Sequence, residues 1–383
     1  MSSPEPVRPR LHLAHVDGLR ALAALMVFVN HAFAQAWTPG TTPAPERPWS
    51  LFSYSLVTGH LSVTVFIVIS GFCLALPVVA EGGGRLPGGV RRFLERRSLR
   101  ILPPYYAAVV LSLALIATVI GERTGTLWDV PLILSWVSIV SHLFLVQNLF
   151  ATGSINYVFW SIAVEFQIYL LFPALLWLWR RIGPLATIAV ALLLGYALGL
   201  SSSRISRANP HFVGMFMMGV LAAHVALSES PVFARARRLP WGLLALSALV
   251  VAGVLIPLWG VETSTYRFRV LDLPVAIMAT GLLVVSSRPE PSAARRLLGW
   301  KPLAFLGTFS YSLYLIHAPL LQVLWQYVLN PLGFARPAMF VFLLTVGLAV
   351  VLLCAYLFFL AIEAPFLRSA RARRGSPAPL PAG

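Results

Sequence analysis

The feature that most constrains this chain is the recurrence of apolar runs close to the ~20 residues an α-helix needs to cross a hydrocarbon layer about 30 Å thick. Inside such a layer no water satisfies backbone N–H and C=O groups, so a run of this length can only be helical. The runs cover residues 15–36, 59–79, 101–120, 157–179, 184–200, 211–228, 241–260, 270–287, 303–326 and 338–360. They predict an all-α, polytopic integral membrane protein with about ten transmembrane helices. Composition agrees: 58% of residues are hydrophobic and 11% charged, where a soluble chain carries about 25% charged residues.

Charge supplies the orientation. The formal charge of +16 lies in short clusters between apolar runs, a topology signal that argues against a nucleic-acid partner. The clusters are Arg8 and Arg10; Arg85, Arg91, Arg92, Arg96, Arg97 and Arg100; Arg180 and Arg181; Arg235, Arg237 and Arg238; Arg288, Arg295, Arg296 and Lys301; and Arg368, Arg371, Arg373 and Arg374. Placing them in the cytoplasm puts both termini there and the chain, multi-pass, in the cell's inner (plasma) membrane. The stretch 131–150 is long enough to cross, yet carries Ser135, Ser138, Ser141, His142, Gln147 and Asn148. If it crossed, the later clusters would face outward, so it reads as re-entrant or as lying along the outer surface. Two regions follow: a membrane domain over 1–367 and a basic, Pro- and Ala-rich cytoplasmic tail over 368–383. Arg8 and Arg10 ahead of an apolar stretch resemble a signal peptide, but the late core and its His31 favour retention as the first span. Cys73 and Cys354 fall within apolar runs and read as buried small hydrophobes. No HExxH, paired CxxC, Walker or Rossmann pattern occurs, so neither a bound metal nor a bound nucleotide or redox cofactor is expected.

Against this background the polar residues stand out. In the first span Asp17, Arg20 and His31 share one stripe: Arg20 and His31 lie within roughly 20° of each other, and His31 about 16 Å further along the axis. An ionisable group at that depth needs a task or a partner. Ser161, Glu165 and Tyr169 follow at four-residue steps on the fourth span, and Ser310, Tyr314 and His317 share a face of the ninth. The tyrosines also fit an aromatic belt, and His317 also fits an inter-helix hydrogen bond. Glu363 reads most simply as a surface acid near Arg368 and Arg371. Arg97 and Arg100 abut the third span, which Pro103-Pro104 would open, and could hold phosphates in a bidentate fork.

Taken in order, these pieces resemble the membrane-bound acyltransferase 3 family, the OafA/OatA-like O-acyltransferases. The matching residues are Asp17-Gly18-Leu19-Arg20 with His31, then Ser70-Gly71-Phe72, then Arg97-x-x-Arg100-Ile101-x-Pro103. They continue with Trp160-Ser161 and Glu165, Ser310-Tyr311-Ser312-x-Tyr314-Leu315-x-His317, and Ile362-Glu363-x-Pro365, so the resemblance runs from about residue 12 to 367. It implies transfer of an acyl group, most simply acetyl, from acyl-CoA as donor substrate to a hydroxyl of a glycan or glycosylated metabolite. His31 matches the family's catalytic histidine, and Glu165 would position His31 or the acceptor. Asp17, Arg20, Arg97 and Arg100 would receive coenzyme A; Ser70, Trp160, Ser161, Tyr311, Tyr314, His317 and Glu363 would line the path or touch the acceptor. Some relatives carry an SGNH-type domain after the last helix, whereas this sequence runs only to Gly383. The expectation is therefore a stand-alone membrane domain, acting alone or with a separate extracytoplasmic partner, on a glycan, lipid-linked sugar or macrolide-type acceptor. Direct transfer and an acyl-enzyme remain alternatives. The competing reading is a transporter carrying a polar solute along a His31/Glu165-lined path.

Overall fold

The apolar runs are helical in the computed structural model, which describes residues 13–82, 84–129, 132, 134–150, 155–288, 290 and 292–368. In chain order the α-helices are α1 (Ala14–Ala36), α2 (Ser55–Glu81), α3 (Gly89–Thr118), α4 (Trp136–Leu143) and α5 (Phe159–Ile182). Then come α6 (Pro184–Ser201), α7 (Ser203–Arg207), α8 (Phe212–Leu227), α9 (Pro231–Arg237), α10 (Trp241–Tyr266) and α11 (Phe268–Ser287). The last are α12 (Ala293–Leu298), α13 (Lys301–Thr308), α14 (Ser310–Leu324), α15 (Arg336–Phe342) and α16 (Leu348–Phe358). Among the described residues nine helices are long and apolar enough to cross a membrane, and the bent pair α13–α14 makes up to ten. Arg8, Arg10, Arg371, Arg373 and Arg374, with the tail beyond residue 368, lie outside the described residues.

Two expectations need correction. The third span does not open at Pro103-Pro104: α3 begins at Gly89, so both prolines sit inside it. Each proline removes one N–H and frees the carbonyl four residues back, Leu99 or Arg100, a defect a membrane helix carries when neighbouring groups cover it; the Tyr311 hydroxyl donates to the adjacent Ile101 carbonyl at 3.2 Å. The ninth span is not continuous, because α13 and α14 meet at 73°. Gly307, just before the break, lies so close to α1 that an added Cβ would sit 2.0 Å from the Asp17 carbonyl oxygen.

The segment 131–150, read from the later basic clusters as non-crossing, holds among its described residues one short α-helix and a 3-10 turn over Gln147–Leu149. α4 spans about 12 Å, is capped by the Ser135 hydroxyl on the Ser138 N–H, and buries Ser138, Ser141 and His142. Trp136, Val137, Val140, Leu143 and Phe144 point outward. This amphipathicity is inverted, with the polar side toward protein and the apolar side outward, as a segment docked at a membrane edge would have it. Tyr105 and Gln167 hold it by donating to the carbonyls of His142 (3.1 Å) and Leu145 (2.9 Å).

The centre of the molecule is formed by α1, α2, α8 and α11, with α13 and α14 against α1. At the α2–α8 crossing an added Cβ on either Gly71 or Gly219 would lie 1.9 Å from the other helix's carbonyl oxygen. Only glycine permits this approach, the small-residue packing of membrane helices. Helices α6 and α10 are peripheral and expose leucines such as Leu185, Leu193, Leu243 and Leu258.

Candidate active site

α1 and α14 run side by side in the same sense, since His31 meets His317 and Gln35 meets Gln322 in ascending order. The site is built along this seam, beginning where α1 begins. There Arg20 Nη1 donates to Asp17 Oδ1 at 3.1 Å, one turn away on the same helix, and Nη2 reaches Cys73 Sγ on α2 at 3.2 Å. Arg97 and Arg100, one turn apart in the first half of α3, line the same cavity. The membrane protein thus collects three guanidinium groups at one mouth, with Asp17 as a local counter-charge.

Further in, α2 and α5 meet through a triangle of oxygens. Ser70 donates to Glu165, Tyr169 donates to the same carboxylate oxygen at 2.5 Å, and the two hydroxyls are 2.7 Å apart. A carboxylate in a helix bundle is tolerable only with such donors. Beyond it, the Tyr314 hydroxyl donates to the Val158 carbonyl at 3.2 Å and accepts from Ser161 at 2.7 Å, joining α14 to α5. Ser312 donates to Glu363 at 2.6 Å. Ser70, Ser161, Glu165, Tyr169, Tyr314 and Glu363 line a cavity of about 330 Å³ that also touches Val63, Phe66, Ile67 and Tyr311.

The next turn of α14 beyond Tyr314 carries His317. Its Nε2 is 2.7 Å from His31 Nδ1, with the ring planes 17° apart and their centroids at 5.0 Å. Its Nδ1 lies 3.1 and 2.9 Å from the carbonyl oxygens of Leu313 and Tyr314. Tyr157 packs edge-on against His31 at 4.9 Å, and its buried hydroxyl has no hydrogen-bond partner among the described residues.

Asp17, Arg20, Ser70, Arg97, Arg100, Ser161, Glu165, Tyr311, Tyr314 and Glu363 therefore share one cavity. His31 and His317 form a pair just past its inner end and do not line it. Glu165 bonds to Ser70 and Tyr169 and not to His31. Glu363 is no surface acid. It is 3% exposed, turned inward by a π-helical turn over Phe359–Glu363 that breaks the spacing assumed from a regular helix. Trp160 stands apart, stacked on His60 at 5.7 Å, which stacks on Phe268 at 3.7 Å. Sequence reasoning passed over Cys73 as a cavity group, although one turn after Ser70 on an interior face was a legible signal. It also passed over Asp272, which accepts from Thr64 at 2.5 Å and from His211 at 2.9 Å and ties α2, α8 and α11 together. An acid within the apolar run 270–287 was visible, but its partners on two other helices were not.

Residues 13–360 match the acyltransferase 3 family model, described as an acyltransferase domain. The chain belongs to this family. The match takes in every cavity residue named above except Glu363, and it favours the enzyme reading over the transporter. The chain is similar to the peptidoglycan O-acetyltransferase OatA of Listeria monocytogenes, 24% identical over 338 residues that make up 82% of this chain and 50% of that protein. It is likewise similar to the O-acetyltransferase OatA of Staphylococcus aureus, 25% identical over 336 residues, 82% of this chain and 52% of the relative. The chain thus spans about half the length of the curated relatives it matches. No solved structure matches it.

Proposed function

We propose that this acyltransferase-family membrane protein transfers an acyl group, acetyl in the simplest case, from acyl-CoA to a hydroxyl group of a glycan or glycosylated metabolite. The observation that carries the reading is the ordering of the site along one seam: three arginines at the mouth, a polar-walled cavity behind them, and a histidine pair past its inner end. Arg20, Arg97 and Arg100 would hold the phosphates of coenzyme A by charge-assisted forks. A volume of about 330 Å³ is at the small end of the ~300–1,000 Å³ typical of ligand pockets. It suits the narrow pantetheine arm and its thioester, with the nucleotide left at the mouth. Val63, Phe66 and Ile67 would pack the arm, while Ser70, Glu165 and Tyr169 present polar groups along it. At the inner end His31 would take the proton of the acceptor hydroxyl as its oxygen attacks the thioester carbonyl. The C–O bond forms, the C–S bond breaks, and the proton passes to the departing coenzyme A thiolate.

The basic loops orient the mouth and both termini to the cytoplasm, where acyl-CoA resides, in the cell's inner (plasma) membrane. The resemblance to OatA supports a glycan acceptor reached from the far side of the His31 pair; a lipid-linked sugar or macrolide-type acceptor uses the same hydroxyl chemistry. The test is coenzyme A release from radiolabelled acetyl-CoA by the purified full chain in detergent, with a panel of sugar acceptors, beside His31→Ala. Release that falls at least a hundredfold in the variant supports the reading; equal turnover in both proteins removes His31 from the chemistry.

A further inference from the structure

The histidine pair has a proton arrangement that can be read from its surroundings. A neutral imidazole has one N–H and one lone pair, and which nitrogen carries the proton is set by the bonds the ring makes. His317 Nδ1 faces two carbonyl oxygens, Leu313 at 3.1 Å and Tyr314 at 2.9 Å, and carbonyls only accept. In the neutral ring Nδ1 therefore carries the proton, and Nε2 carries the lone pair. His31 Nδ1, 2.7 Å from that lone pair, must then be the donor. It follows that Nε2 of His31 is its unprotonated nitrogen, the one able to accept a proton. His317 is 1% exposed, and its ring also packs near Tyr314 at 5.9 Å and Phe28 at 6.4 Å. The carbonyls that fix its tautomer belong to its own helix, so the arrangement is built into α14 and does not wait for substrate.

We infer that His317 is a positioning residue that locks His31 as the Nδ1–H tautomer, leaving Nε2 as the base, and that stabilises the imidazolium formed when Nε2 takes the acceptor's proton. This rests on the function proposed above, in which His31 is that base. In the reaction the acceptor O–H gives its proton to His31 Nε2. The resulting cation donates from Nδ1 to His317 Nε2, whose own Nδ1–H remains on the backbone carbonyls. The proton then leaves from Nε2 to the coenzyme A thiolate, and the pair returns to its starting state. A histidine whose tautomer is held by a second group, itself fixed by the fold, is the same logic by which an acid orients the histidine of a hydrolytic triad, here with a neutral partner.

Two substitutions separate this from a packing role. In His317→Gln the side-chain amide oxygen can stand where Nε2 stood and accept from His31 Nδ1–H; in His317→Leu the volume remains but the acceptor is gone. The full chain is purified into lipid nanodiscs, and kcat, the Kd of coenzyme A and ¹⁵N spectra of histidine-labelled protein are measured for each variant. Expected are a coenzyme A Kd within twofold of the parent in both variants, and a kcat for His317→Leu at least a hundredfold down. His317→Gln should stay within about tenfold of the parent, with a His31 Nε2 resonance in the unprotonated range in the parent and His317→Gln only. A His317→Leu kcat within twofold of the parent, a His317→Gln enzyme as inactive as His317→Leu, or His31 protonated on Nε2 in the parent would each overturn the inference. Absence of coenzyme A binding and release in the parent would instead sink the acyl-CoA reading, while the ¹⁵N spectra would still decide the tautomer.

Discussion

Replacing Arg100 by alanine tests where the donor enters. Arg97 and Arg100 stand one turn apart in the first half of α3 and line the cavity from the same helix. A hydrogen bond to a charged group contributes about 1.5–3 kcal/mol, and each ~1.4 kcal/mol is a factor of ten in affinity. Arg100 keeps part of its surface accessible, so solvent screening places it at the low end, a rise of about tenfold in the Kd for coenzyme A. Because the phosphates would be held in ground state and transition state alike, KM should rise with Kd while kcat stays within about twofold. Arg100→Lys should fall between parent and alanine variant, since it keeps the charge and loses the fork. Arg20→Ala should weaken binding further: its guanidinium spans Asp17 and Cys73, and its loss leaves the Asp17 carboxylate facing an anionic ligand. Adding Asp17→Asn to that variant should recover part of the affinity. The assay is calorimetric titration of coenzyme A into detergent-solubilised protein at two salt concentrations, beside steady-state kinetics. The affinity of the parent should fall more steeply with salt than that of Arg100→Ala. An unchanged Kd in Arg100→Ala would refute entry at this mouth, and a fall in kcat at constant KM would move Arg100 from donor binding to the chemical step.

Two further outcomes follow from packing. Gly219→Val places a Cβ that would otherwise lie 1.9 Å from the Val68 carbonyl, so α2 and α8 must part; overpacking of this kind costs about 1–3 kcal/mol and should lower Tm in detergent by several degrees, whereas Gly253→Ala on α10, with nothing within 4 Å of the added Cβ, should leave Tm unchanged or raise it. A nitroxide can be attached to the outward side of α4 through Trp136→Cys or Phe144→Cys, each made in a chain lacking Cys73 and Cys354. Both labels should collide more with oxygen than with a water-soluble nickel chelate, and the reverse at both positions would place α4 in water instead of against lipid.

How much of this was legible in the sequence depends on the range of the forces involved. The spans were legible because a bilayer imposes length and composition on each helix separately, so 184–200 and 270–287 were read within two residues of α6 and α11. The four-residue spacing of Ser161, Glu165 and Tyr169 was legible for the same reason, as helical geometry alone puts them on one face. The break at Phe309 was not legible: beside it Gly307 closely approaches the Asp17 carbonyl of another helix, and no local preference encodes that contact. Glu363 was misread because a π-helical turn rotates it inward, and one extra residue in a turn is invisible to a pattern of 3.6. The pairing of His31 with His317 spans 286 positions. Each histidine could be singled out as an ionisable group in an apolar helix, and the principle that such groups need partners required that something meet it. What the sequence could not supply was that each is the other's partner. Once they are paired, the two carbonyls on α14 decide the tautomer and assign the base to a single nitrogen. The residues of the site were thus readable from local pattern, whereas the direction in which its proton moves is a property of the packing between α1 and α14.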